Sequence, residues 1–244
     1  MKQSSYIAIS CFVILLVSCK GLIVSTTKMH TTDATPIALG VLGIHSGTVF
    51  QANFRETALP VYQTPIRVGV EVEDFSSRTY KAYLQQVKKE QEVINYVDSI
   101  SDKPTFLQLR LLDHITAISA LQKEANQETI SYLKTQKNTG IVSTVSMVIT
   151  ASLQDEITKA EAVFLTNSQY KQYTLSLAKQ GKIYKTIDFS KATIFGYGLS
   201  YFCWGQNDKN QISIFSLTEE NRSCPKNTYN DAGKAAEKIN YLKL

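Results

Sequence analysis

Residues 193–204 read as a strand buried on both faces, and that reading limits the whole architecture. In extended form one face carries Ile194, Gly196, Gly198, Ser200, Phe202 and Trp204, and the other carries Phe195, Tyr197, Leu199, Tyr201 and Cys203. Both faces are largely apolar, so the segment is expected at the centre of a sheet, covered on both sides. Gly196 and Gly198 leave a shallow trough where another element can approach closely. A helix packed in the trough is one use of it. An aromatic-lined pocket for a ligand or a partner's segment is the other, with Gly196, Gly198, Tyr201 and Trp204 as its binding residues.

The rest of the pattern alternates between strand and helix periods. Ile66, Val68, Val70 and Val72 alternate with Arg67, Gly69, Glu71 and Glu73, which predicts a half-buried strand. Tyr80, Leu84, Val87, Ile94 and Val97 recur at helical spacing over 78–100, with Ser76 or Ser77 as a cap. Pro104 suits the first turn of a second helix. That helix, over 104–136, would align Leu107, Leu111, Ile115, Ile118, Leu121 and Ala125 on one face, so the two helices predict an antiparallel hairpin. Period two returns at Val145, Met147, Ile149, Ala151 and Leu153. A strand over 160–166 then competes with a helix over 154–164. Tyr170, Tyr173 and Leu177 predict a short helix ended by Gly181. Segments 37–44, 183–189 and 211–217 read as strands, the first of them equally as a buried loop. Residues 205–210 form a turn, and 231–242 a terminal helix. The expected fold class is α+β: an antiparallel or mixed sheet with an inserted two-helix hairpin and a C-terminal helix.

At the start of the chain, Lys2 and a short apolar run over 6–17 precede Leu16, Val17, Ser18 and Cys19. The run is about 12 residues, near 18 Å as a helix, against a hydrocarbon core of roughly 30 Å, so it suits a signal segment rather than a span. The four residues ending at Cys19 resemble the lipobox of bacterial lipoproteins. The resemblance implies cleavage after residue 18 and a fatty-acylated (palmitate-type) Cys19 that tethers the mature protein to a membrane. Lys20 favours the outer membrane by the same resemblance, facing the periplasm. Residues 1–18 then form the signal peptide, 19–34 a lipidated tether rich in Thr and Lys, and 35–244 a single α+β domain.

With Cys11 removed and Cys19 acylated, Cys203 and Cys224 remain as one pair in an oxidising compartment and are expected to form a disulfide. If Trp204 pairs with Gln211, Leu217 falls about five residues, or ~17 Å, from Cys203. Residues 218–224 can span up to ~23 Å, so closure is within reach. Removing residues 1–18 leaves a net charge of about +4, spread along the chain without a Lys/Arg block. That argues against nucleic acid as a partner.

Chemistry-bearing motifs are sparse. The chain contains no HExxH, GxSxG, P-loop or CxxC pattern, and no cofactor or metal is expected. His30, His45 and His114 lie far apart, with His30 in the tether and His114 a hydrogen-bonded, partly buried residue of an apolar helix. Ser168 and Lys171 have the Ser-x-x-Lys spacing of penicillin-recognising enzymes, but the companion elements are missing and Ser168 reads as a helix cap. Glu71, Glu73 and Asp74 read as a solvated strand face. Asp98, Ser99 and Ile100 resemble a bacterial O-glycosylation acceptor. The expected function is therefore a lipid-anchored, non-enzymatic binding or scaffold protein of the envelope, with an envelope protein as a possible partner. The alternatives are an immunity-type lipoprotein that binds a toxin or hydrolase, and an enzyme with an unfamiliar site near residues 196–200.

Overall fold

The computed structural model describes residues 21–24, 27–31, 37–48, 51–87, 93–98, 103–167, 172–220 and 222–241. They form an α+β fold around one antiparallel sheet of 12 strands. The long strands β7 (Thr139–Val148) and β11 (Thr193–Gln206) pair side by side and make its spine. Each has two neighbours on its outer side, placed end to end. Along β7 these are β6 (Thr105–Leu111) at one end and β3 (Leu42–Thr48) at the other. Along β11 they are β2 (Thr27–Thr31) and β12 (Ile212–Glu219). The sheet therefore forks. One arm runs from β6 through β5 (Ile66–Asp74), β8 (Ala162–Asn167) and β9 (Tyr173–Lys179) to β10 (Lys182–Asp188). β4 (Gln51–Ala58) pairs with β3, and β1 (Gly21–Val24) closes the hairpin with β2.

The central strand is buried on both faces as its sequence requires. Ile194, Tyr197, Leu199, Phe202 and Trp204 belong to the larger core, together with Val142, Val145, Leu109 and Val68. The helices α2 (His114–Leu121), α3 (Gln127–Lys134), α4 (Ala151–Lys159) and α5 (Ala232–Tyr241) each contribute to that core, among them Leu121, Leu133, Ile157 and Ala235. Phe195, at a register shift between Ile194 and Gly196, belongs to a smaller aromatic core with Phe75, Phe106, Tyr83, Met29 and Val24. Helix α1 (Ser77–Leu84) lies over it, started by a capping box between Ser76 and Thr79.

Where β3 joins β7 the facing residues are Gly43 and Gly140. A Cβ on Gly140 would meet the Ser200 carbonyl at 2.5 Å. Gly140 thus lets β11 approach β7 closely where β3 joins, and Gly43 leaves the same room for the Arg55 carbonyl of β4.

Several expected elements differ. The helix over 78–100 is the shorter α1, and 93–97 are not helical. The helix over 104–136 is instead strand β6 followed by α2 and α3, so the expected two-helix hairpin is absent from the described residues. Leu107 and Leu111 lie four apart, which places them on one face of a helix or of a strand alike. The alternation beyond Ile149 stops, because Ala151 begins α4. The competing readings of 154–166 are each partly present, as α4 and then β8. Tyr173 and Leu177 belong to β9 rather than a helix, and Gly181 turns that strand into β10 with a φ of +73°. Residues 21–24 and 27–31, inside the expected tether, are paired strands.

Candidate functional site

Sequence-distant polar side chains meet along the middle of β11. Tyr201 comes from that strand, His30 from its neighbour β2, His45 from β3, and Glu220 follows the end of β12. The Tyr201 hydroxyl lies 2.6 Å from His45 Nδ1, and His30 Nε2 lies 3.0 Å from a Glu220 carboxylate oxygen. The rings of Tyr197, His30, His45 and Tyr201 form a chain, with successive centroids 5.4, 5.6 and 5.8 Å apart. Beside them opens a cleft of about 590 Å³, lined by His45, Tyr201, Glu220, Arg222 and Tyr229 among others.

The disulfide builds the far wall of this cleft. Cys203 and Cys224 are bonded, with Cα atoms 5.6 Å apart. The hairpin register differs from the expected one: Gln206 pairs with Ile212, and after a bulge Cys203 pairs with Ser216. Leu217 therefore lies beside Phe202, and the returning chain has less distance to cover than the sequence suggested. The segment is tied a second time at Trp204, whose N–H donates to the Tyr229 carbonyl at 2.7 Å and whose carbonyl accepts from Tyr229 N–H at 2.8 Å.

Burial pushes the Tyr201 phenol well above its ordinary pKa, and the Glu220 carboxylate and Tyr197 push it the same way. Tyr201 thus keeps its proton and donates. A neutral His45 then accepts at Nδ1 and carries its own proton on Nε2. The His30–Glu220 contact is a hydrogen bond with a neutral imidazole and an ion pair with a charged one. Arg222 stands at the rim, 3.4 Å from a Glu219 carboxylate oxygen. These groups supply donors and acceptors of fixed orientation. Ser200 does not join them as a nucleophile, since its buried hydroxyl donates to Ser143 at 2.8 Å. Among the described residues no group of three His, Cys, Asp or Glu side chains is placed to hold a metal ion.

The expected binding residues fall into three environments. Tyr201 lines the cleft. Trp204 is fully buried against Phe202 in the main core. Gly196 and Gly198 are buried within the sheet, between β2 and β7 at Gly196 and against Thr144 at Gly198. The Thr144 side chain lies against the Gly198 position, and α1 packs near Phe195, with the Tyr83 and Phe195 rings 6.1 Å apart. Cys19, Ser168 and Lys171 lie outside the described residues. Glu71 and Asp74 are exposed and Glu73 partly so. His114 is partly buried as expected, 3.1 Å from the Leu111 carbonyl, but at the start of α2 rather than within a longer helix. His30, His45 and Glu220 were not singled out as a site by the sequence, because their meeting depends on strand order.

A second cleft, about 740 Å³, lies between α2–α3 and the turn before β12, with Leu121, Ile130 and Ile214 at its floor. Gln122 Nε2 donates to the Ile214 carbonyl across it at 2.7 Å. Comparison with protein-family models, with curated proteins and with solved structures finds no match to this chain.

Proposed function

We propose that the chain is a lipid-anchored envelope protein, attached through Cys19 and facing the periplasm, that binds a polar partner without transforming it. The observation that carries the binding reading is the arrangement of the cleft. Its central groups are committed to one another, Tyr201 to His45 and Glu220 to His30, and the phenol is held protonated. Such a network orients donors and acceptors toward a ligand. The hydroxyls and amides of Asn138, Thr218, Ser223, Thr228 and Asn230 suit a hydroxylated ligand such as a saccharide.

Two measurements test the proposal. Labelling with a fatty-acid analogue should mark the wild-type protein and not Cys19→Ala; equal labelling of both overturns the anchor. A panel of soluble oligosaccharides should raise the melting temperature of the wild-type protein, and Tyr201→Phe should weaken that effect. Failure of the whole panel to shift it overturns the saccharide reading. The enzyme alternative draws on the same meeting of His30, His45 and Glu220. Substrate turnover abolished by His45→Ala, with binding retained, would establish it in place of simple binding.

A further inference from the structure

We infer that the bilayer surface is the partner of the sheet edge at β1, and that it keeps the mouth of the polar cleft within about 20 Å of the lipid headgroups. The inference rests on the Cys19 anchor proposed above. From Cys19 to Gly21 the chain advances two residues, which span at most about 7 Å. Gly21 is already in register with His30. A lipid on Cys19 is therefore at most about two residue lengths from the folded sheet.

The hairpin that begins at Gly21 is fastened at three places. His30 and Thr31 pair with Tyr197 and Gly196 of β11. Met29 is fully buried, and its sulfur accepts from Gln108 Nε2 at 3.4 Å and Ser146 Oγ at 3.3 Å. His30 contacts Glu220, a residue of the cleft wall. Paired strands lie about 5 Å apart, so the path from Cys19 through Gly21 and His30 to Glu220 is on the order of 20 Å. Each headgroup layer is itself about 5–8 Å thick. The cleft is thus confined to a shell next to the bilayer, while β10 stands at the opposite end of the strand order. Eight strand intervals separate β1 from β10 along that order, which is at most about 38 Å in a flat sheet.

The test uses the lipidated full chain in vesicles of phosphatidylethanolamine and phosphatidylglycerol that carry a small fraction of headgroup-spin-labelled lipid. One fluorophore is attached at Asn230→Cys, beside the cleft, and another, in a separate sample, at Tyr184→Cys on β10. Quenching is expected to be several-fold stronger at position 230. A Gly/Ser linker of about ten residues inserted between Lys20 and Gly21 adds a reach of roughly 17 Å and should bring the two values together. Equal quenching without the linker, or a difference the linker leaves unchanged, overturns the inference while leaving the anchor intact. A protein that takes up no fatty-acid label and does not float with the vesicles overturns the anchor, and the inference with it.

Discussion

Asn126 joins three chain segments through one side chain. Its Nδ2 donates to the carbonyls of Val61 and Ala120, both at 2.9 Å, and its Oδ1 accepts from Val61 N–H at 2.8 Å. Asn126 is buried, and Asn126→Ala takes the side-chain partner from both backbone groups of Val61, while the Ala120 carbonyl keeps the Lys123 N–H. Urea denaturation should show a loss of about 3 kcal/mol, and a loss below about 1 kcal/mol would mean that the 59–62 segment relaxes into water. Asp113 caps α2 by accepting from Thr116 N–H at 2.9 Å, and the Thr116 bonds hold its carboxyl below the usual carboxylate range. A carboxyl lowered by folding stabilises above its unfolded value, about 3.9, and loses that contribution as pH falls through its folded value. Asp113→Ala should therefore cost about 1 kcal/mol at about pH 7, and the gap from wild type should narrow below about pH 4. A gap unchanged down to about pH 2 would exclude the ionised carboxylate as the cap. Tyr201 was legible because its own segment patterns as a buried strand. Its partners were not, since Tyr201 and His45 are 156 residues apart and His30 and Glu220 are 190 apart. Periodicity encodes a residue's face and carries no information on which distant strand lies beside it.

Strands with the simplest patterns were readable, and the errors share one cause. Ile66 to Glu73 alternates and forms β5; residues 183–189 and 193–204 foretell β10 and β11 closely. In β6 and β9 the deciding residues are Leu109 and Leu175. On a helix each would point away from its neighbours at i−2 and i+2; on a strand all three share a face. Both are buried, so the period is two. Gln108, Thr174 and Ser176 hid it by placing polar groups on the second buried face. There the hydroxyls satisfy one another, with Thr166 Oγ1 lying 3.0 Å from Thr174 Oγ1 and 2.8 Å from Ser176 Oγ. The β11–β12 hairpin carries the disulfide, which closes a separation of 21 residues. In the chain-entropy model that restriction is worth about 3 kcal/mol. A double Cys203→Ser, Cys224→Ser variant should melt roughly 6–12 °C below the oxidised protein. It should also lose most of any ligand-induced stabilisation, because the cleft wall would lose its covalent tie to β11 and keep hydrogen bonds such as those between Trp204 and Tyr229. An unchanged ligand response would show that the hydrogen bonds hold the wall without the disulfide.

The whole fold begins earlier than composition suggests. Residues 19–34 look like a tether because they are rich in Thr and Lys and show no period, yet Val24 and Met29 complete a core. Val24 and Met29 are buried with Phe75, Phe106, Tyr83 and Phe195, residues drawn from three separate parts of the chain. Fully burying a side chain of this size is worth about 1.5–3 kcal/mol, so the pair contributes roughly 3–6 kcal/mol before any hydrogen bond is counted. Removing Met29 would also take the sulfur acceptor from Gln108 and Ser146, which stand inside the sheet. Total stabilities of about 5–15 kcal/mol leave little margin for that loss. A chain starting at Thr35 is therefore expected to unfold at much lower urea than one starting at residue 19, with Cys19→Ser in the latter to exclude lipid. It should also bind a hydrophobic dye through the uncovered aromatic rings. Coincident urea midpoints with no dye binding would restore the tether reading, and would place the first two strands outside the cooperative unit. A large difference would make the N-terminal hairpin an integral part of the sheet, carrying the protein's proposed lipid attachment directly on its core.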